Sequence, residues 1–272
     1  MSSQDTVKPN DIKPSDIKQC CARLYESDFA RLLLGDSFHP GGTKLTERLG
    51  ALLGLGARSR VLDIASGTGT SALFLAERFG CDVVGVDYGS HNVEQSNAAA
   101  TARGLDKRVN FRTGDAERLP FPDASFDAVI CECAFCTFPD KTAAAREFAR
   151  VLRSGGGIGL SDLTHGPVLP EDLSGLLAWV ACIADAGPVG TYVRYLSDAG
   201  FRVERVEPHD EALLEMVNQV RTKLLGAEIM VGLKKLELPG VDFTAAKEMA
   251  RSASSAIQQG SLGYAILHGA KP

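Results

Sequence analysis

"RVLDIASGTGTSALFLAERFG", residues 60–80, decides the fold. It opens with the short apolar run RVLDI, passes through a turn with Gly67 and Gly69, and continues as an amphipathic helix closed by Gly80. A strand that runs through a glycine-rich turn into a helix is half of a βαβ unit. The pattern repeats downstream. "DVVGVD" reads as a strand, "HNVEQSNAAATARG" as a helix closed by Gly104, and "RVNFRTGD" and "SFDAVICEC" as strands. "KTAAAREFARVLRSGG" reads as a helix ending at glycines, and "GIGLSDL" as a strand. Apolar strands alternating with helices predict an α/β fold with a mostly parallel sheet covered on both faces.

Outward from this core the pattern changes. Residues 1–19 are polar, with Pro9 and Pro14, and read as an N-terminal arm; 20–55 read as helical, broken at "HPGG" (39–42). After the core come two helical stretches, "PEDLSGLLAWVACIADA" and "GTYVRYLSDAG", then the strand "FRVERVE". Residues 210–260 read as a helical insertion before a last strand, 261–272, and offer an oligomer surface.

The 272 residues carry a net charge of −5 and no basic stretch, which points away from nucleic acid and towards small-molecule chemistry. Neither a secretory leader nor a membrane span is expected, so the expected location is cytoplasmic and the seven cysteines are expected as thiols.

In an open parallel sheet a ligand sits at the carboxyl ends of the strands. Asp63 stands near the end of the first strand and Asp87 ends the second, placed to accept hydrogen bonds from a ribose. These two features fit a dinucleotide as well.

"RTGDAERLPFPDASFDAV" follows, and "RVLRSGG" (150–156) lies beyond it. In this order the strings resemble the class I methyltransferases of the UbiE type, which use S-adenosyl-L-methionine (SAM), over roughly residues 55–205. The resemblance implies a Rossmann-like fold with a seven-stranded, mostly parallel sheet, a helical lid at 20–55 and a SAM-binding core at 56–209. It places the turn Asp63, Ala65, Gly67 and Gly69 against the methionine part of SAM, with Ala65 where the family usually has glycine. Asp87 and Tyr88 fall to the ribose, and Asp115, Ala116 and Glu117 to the adenine. Glu132, the "SFHPGG" glycines Gly41 and Gly42, and the lid residue Tyr25 complete the implied cofactor set.

"ICECAFCTF" (130–138) ends the fourth strand, where an acceptor should meet the methyl group. Alternation puts Cys131 and Cys133 on one face. Cys131 reads as core, Cys133 as a substrate thiolate and Cys136 as a rim residue; Cys81 reads as structural. A narrower resemblance, to arsenite methyltransferases, rests on "ECAFCTFPDK", "RVLRSGG", "LSDL" and "YVRYLSDAGF". It implies that Cys133 and Cys182, helped by Cys20, Cys21 or Cys136, hold trivalent arsenic as substrate. Thiolates are soft ligands and select such centres. Three rival readings stand. The same cysteines could bind zinc or an iron–sulfur cluster. They could line a pocket for an organic acceptor, with His39, His165 or Glu132 as base. The chain could also bind SAM or a metal without catalysis.

Overall fold

The computed structural model describes residues 18–19, 22, 26, 28–35, 37–166, 173, 183, 185–238 and 241–272. The expectations on Cys20, Cys21, Tyr25 and Cys182, and nearly all of "PEDLSGLLAWVACIADA", lie outside them.

Seven strands form one sheet in the order β3-β2-β1-β4-β5-β7-β6. They are β1 (Arg60–Ile64), β2 (Asp82–Asp87), β3 (Val109–Thr113), β4 (Phe126–Glu132), β5 (Leu152–His165), β6 (Arg202–Pro208) and β7 (Leu262–Ala270). All pairs are parallel except those of β7 with β5 and β6. The expected mixed, mostly parallel sheet is therefore present, and β6 and β7 are its antiparallel end.

The helices among the described residues are α1 (Asp28–Leu34), α2 (Gly42–Leu52), α3 (Thr70–Phe79), α4 (Ser90–Ala102), α5 (Lys141–Val151), α6 (Val189–Asp198), α7 (Asp210–Gly232) and α8 (Phe243–Gln258). The strand pleat divides the apolar residues between two layers. Val61, Val83, Val109, Ala128 and Ile130 face one core with α3. Leu62, Ile64, Val84, Val86, Val129 and Cys131 face the other, with α5 and α6. β1, β2 and β4 are thus apolar on both faces, whereas β3 turns Asn110 and Arg112 to the surface.

Two boundaries differ from expectation. The helix after "PDK" was expected to run to the glycines at 155–156, but α5 stops at Val151. Leu152 is extended and pairs with Phe126, so RSGGG belongs to β5, with a register shift opposite Phe126 and Ala128. Gly155 takes φ +78° there, and its N–H donates to the carbonyl of Lys271. These glycines bend a strand and do not cap a helix. At the other end, β4 stops at Glu132, and Cys133 takes φ +53°. The chain turns there, so Cys133 does not share a strand face with Cys131.

The insertion is a pair of packed helices, α7 and α8. Leu225 and Ile229 on α7 and its C-cap Leu233 are exposed at four-residue spacing within the insertion that was expected to offer an oligomer surface. No helix among the described residues is long and apolar enough to cross a membrane.

Candidate active site

The turn after β1 lies against the end of β2. The N–H groups of Gly67 and Gly89 each donate to one oxygen of Asp87, both at 2.8 Å. Gly69 caps α3 at φ +77°, and a Cβ there would stand 2.6 Å from Phe111. Glycine is required at that point for both backbone and space. Ala65 sits at φ +55°, a left-handed conformation that costs an alanine about 1 kcal/mol.

A pocket opens above this turn, at the carboxyl ends of the central strands. Asp63, Ala65, Gly67, Asp87, Tyr88, Asp115, Ala116, Glu132 and Cys133 line it, so most of the expected cofactor residues converge. Gly69 closes the turn, its N–H donating to the Ser66 carbonyl at 2.8 Å. Gly41 and Gly42 border a larger neighbouring groove. Glu117 accepts from the N–H of Asp140 at 2.8 Å and pairs with Lys18.

The floor of the pocket is acidic. Asp63 is buried, and its Oδ2 has no hydrogen-bond partner among the described residues. Burial first, then the charges of Glu132 and Asp87, push its carboxyl well above the usual range. Burial also raises Asp87, against the hydrogen bonds of Gly89, Gly67 and Asn92. Glu132 accepts from Ser71 at 2.6 Å and from Thr46 at 3.1 and 3.2 Å. His39 Nε2 lies 3.6 Å from Glu132 and 3.3 Å from Ser71 Oγ. Burying this much negative charge on neutral donors is unfavourable, and a positively charged ligand group would relieve it.

Sequence reading missed three contributors. Lys18 Nζ bonds both oxygens of Asp115, at 2.9 and 2.8 Å, and Glu117 at 2.5 Å. It falls in the polar N-terminal stretch 1–19, where nothing local marks a partner 97 residues away. Ser71 and Thr46 look like ordinary helix residues; only the fold aims them at Glu132.

The expected cysteines separate. Cys133 lines the pocket, half-buried, with Ala134, Thr137 and Phe138. Its N–H donates to the carbonyl of Ser161 at 2.7 Å. Cys136 corrects the expectation of a rim residue: it is fully buried in the 3-10 turn Phe135–Thr137. That turn points its thiol and N–H at Asp162, away from the pocket. Cys131 and Cys81 are fully buried, and burial raises both thiols, Cys81 to about 11. His165, at the end of β5, bonds the carbonyl of Gly166. Among the described residues no group of three or more His, Cys, Asp or Glu side chains could hold a metal ion.

Known proteins resemble this chain in sequence and fold. Residues 62–159 match the family described as a methyltransferase domain. The 27-O-demethylrifamycin SV methyltransferase of Amycolatopsis mediterranei is 31% identical over 237 residues, 85% of this chain and 84% of that one. The arsenite methyltransferase of Halobacterium salinarum is 31% identical over 155 residues, 56% of this chain and 39% of that one. A geranyl diphosphate methyltransferase solved in complex with SAM superposes with a TM-score of 0.69 at 20% identity, covering 85% of each chain.

Proposed function

The chain belongs to the class I SAM-dependent methyltransferases, with SAM as cofactor, and on that premise we propose that its acceptor is a small molecule brought to the Cys133 end of the pocket. When bound, SAM supplies an electrophilic methyl group on a positively charged sulfur. The residues of the floor suit that charge: among the described residues, Asp63 has an unpartnered carboxylate oxygen and Glu132 meets neutral donors and His39. Asp87, fixed by two backbone N–H groups, would take the ribose hydroxyls. Asp115 and Ala116 would meet the adenine, and the Ala65–Gly67 turn the methionine chain.

The acceptor reading is narrower. We infer a soft, thiophilic acceptor such as trivalent arsenic, and Cys133 carries it: its thiol stands on the pocket lining beyond the cofactor residues. A thiolate holds such a centre and leaves it a lone pair to attack the methyl, so the protein contributes chiefly position. Cys136, buried at Asp162, is not part of this proposal. The second thiolate would come from Cys182, Cys20 or Cys21. A small organic acceptor is the second reading. The apolar wall of Ala134 and Phe138 favours it, and so does the long match to a protein named for methylating an oxygen. His39 beside Glu132 would then serve as the base.

Incubation with SAM, a thiol reductant and arsenite should yield methylated arsenic and S-adenosylhomocysteine, and Cys133→Ser should abolish both. Turnover that survives Cys133→Ser and Cys182→Ser overturns the thiolate reading. Turnover only on hydroxyl or amine acceptors establishes the second.

A further inference from the structure

The polar cluster behind the pocket wall has no part in the function proposed above. Asp162 lies in β5 and is fully buried. Its Oδ2 accepts from the N–H of Cys136 at 2.8 Å, and its Oδ1 from the N–H of Leu163 at 2.8 Å. The Cys136 thiol adds a third hydrogen bond to the same carboxylate. The neighbouring hydroxyls are engaged elsewhere. Tyr192 donates to the carbonyl of Leu163 at 2.6 Å and Tyr264 to Ser161 Oγ at 2.8 Å.

The chain that Asp162 grips is the acceptor wall. Residues 133–138 leave β4 through the left-handed Cys133 and make one 3-10 turn. They place Cys133, Ala134, Thr137 and Phe138 on the pocket and Phe135 and Cys136 in the core. Its own backbone bonds are few, Thr137 N–H to the Ala134 carbonyl at 2.9 Å and Phe138 N–H to the Phe135 carbonyl at 3.2 Å, and Phe135 anchors it among Phe148, Tyr192 and Tyr195. Two backbone N–H groups tie it to β5: that of Cys133 to the Ser161 carbonyl and that of Cys136 to Asp162. Of the two acceptors, only the carboxylate can change its protonation.

We propose that Asp162 is a positioning residue: its buried carboxylate holds the 133–138 turn, and with it Cys133, in place against the acceptor end of the pocket. The assignment of that end rests on the function proposed above; the grip on the turn does not. Neutral donors surround Asp162, and Lys141 on α5 is the cation that acts on it. The titratable groups facing it are Cys131 on β4, Cys136 on the turn, Tyr192 on α6 and Tyr264 on β7. Burial raises its carboxyl to about 6, against the hydrogen bonds of Cys136 and Leu163. Below that pH a proton occupies one oxygen, and the turn loses a charge-assisted bond.

Two measurements on the full chain, neither using a methyl acceptor, test this. In the wild type, protection of the Cys136 amide from hydrogen exchange, corrected for intrinsic rate, should fall about tenfold between pH 7.5 and 5, the worth of one such bond. In Asp162→Asn, alkylation of Cys133 by iodoacetamide, read by mass spectrometry, should be about tenfold faster than in wild type at pH 7.5. That ratio should shrink towards one at pH 5, while SAM affinity by calorimetry stays within about twofold. A merely structural role would not give the pH-dependent ratio. Cys136→Ser, which keeps the N–H donor, should label as the wild type does. Cys136 protection independent of pH overturns the proposal even if Asp162→Asn fails to fold, and so does an Asn variant whose Cys133 labels at the wild-type rate. Absence of methyl transfer to every acceptor tried would sink the acceptor reading and leave both measurements intact.

Discussion

At the scale of single residues, Ala65 is the most exposed to test. It holds φ +55° in the cofactor turn without the freedom of glycine. Ala65→Gly should stabilise the protein by up to about 1 kcal/mol, offset in part by the extra freedom of the unfolded chain. Thermal unfolding measures this, and a lower melting temperature would contradict it. Gly85 gives the opposite expectation. A Cβ there would stand 2.2 Å from Phe111 and 2.8 Å from Ser66, so Gly85→Ala should cost about 1–3 kcal/mol and weaken SAM binding by displacing the turn. Asp63 and Asp87 could be read from the sequence because each stands at or next to the end of an apolar strand before a turn. The split among the cysteines could not. Alternation holds only while the backbone stays extended, and Cys133 breaks it.

Among the elements, α5 follows the 133–138 turn. Asp140 caps it, its side chain accepting from the N–H of Ala143 at 2.8 Å, while its own N–H donates to Glu117. Asp140→Ala should therefore cost about 1 kcal/mol in chemical denaturation. The N–H that Asp140 donates to Glu117 belongs to the backbone and survives the change, so the Lys18 contacts to Glu117 and Asp115 should be kept. The helices were legible because glycine closes α3 and the apolar faces keep helical spacing. The end of α5 was not. RSGG resembles a helix cap in sequence, and only its pairing with Phe126 and its ties to Lys271 make it strand. Such long-range pairing overrides local propensity.

Across the whole molecule, the order β3-β2-β1-β4-β5-β7-β6 gathers three carboxylates, Asp63, Asp87 and Glu132, under one pocket. This follows from strand alternation and was legible; the closure of the site by Lys18 was not, because the contact spans 97 residues of chain. Asp63 holds its proton above the ordinary carboxylate range because it is buried beside Glu132 and Asp87. A cation arriving beside it favours the ionised form. SAM binding should therefore expel protons, and affinity should rise with pH from the ordinary carboxylate value up to the raised one. Calorimetry in two buffers of different ionisation enthalpy checks this, and proton uptake would refute it. In the unliganded fold the same group acts in reverse. Its contribution to stability is fully present below the ordinary carboxylate value and is lost as pH rises through the raised one.

The acid floor also bears on turnover. With SAM bound as proposed, methyl transfer would remove the sulfonium charge that Asp63, Asp87 and Glu132 would balance. The carboxylates that would draw the cofactor in would then hold its spent form less tightly, and departure of the by-product would be favoured by the transfer itself.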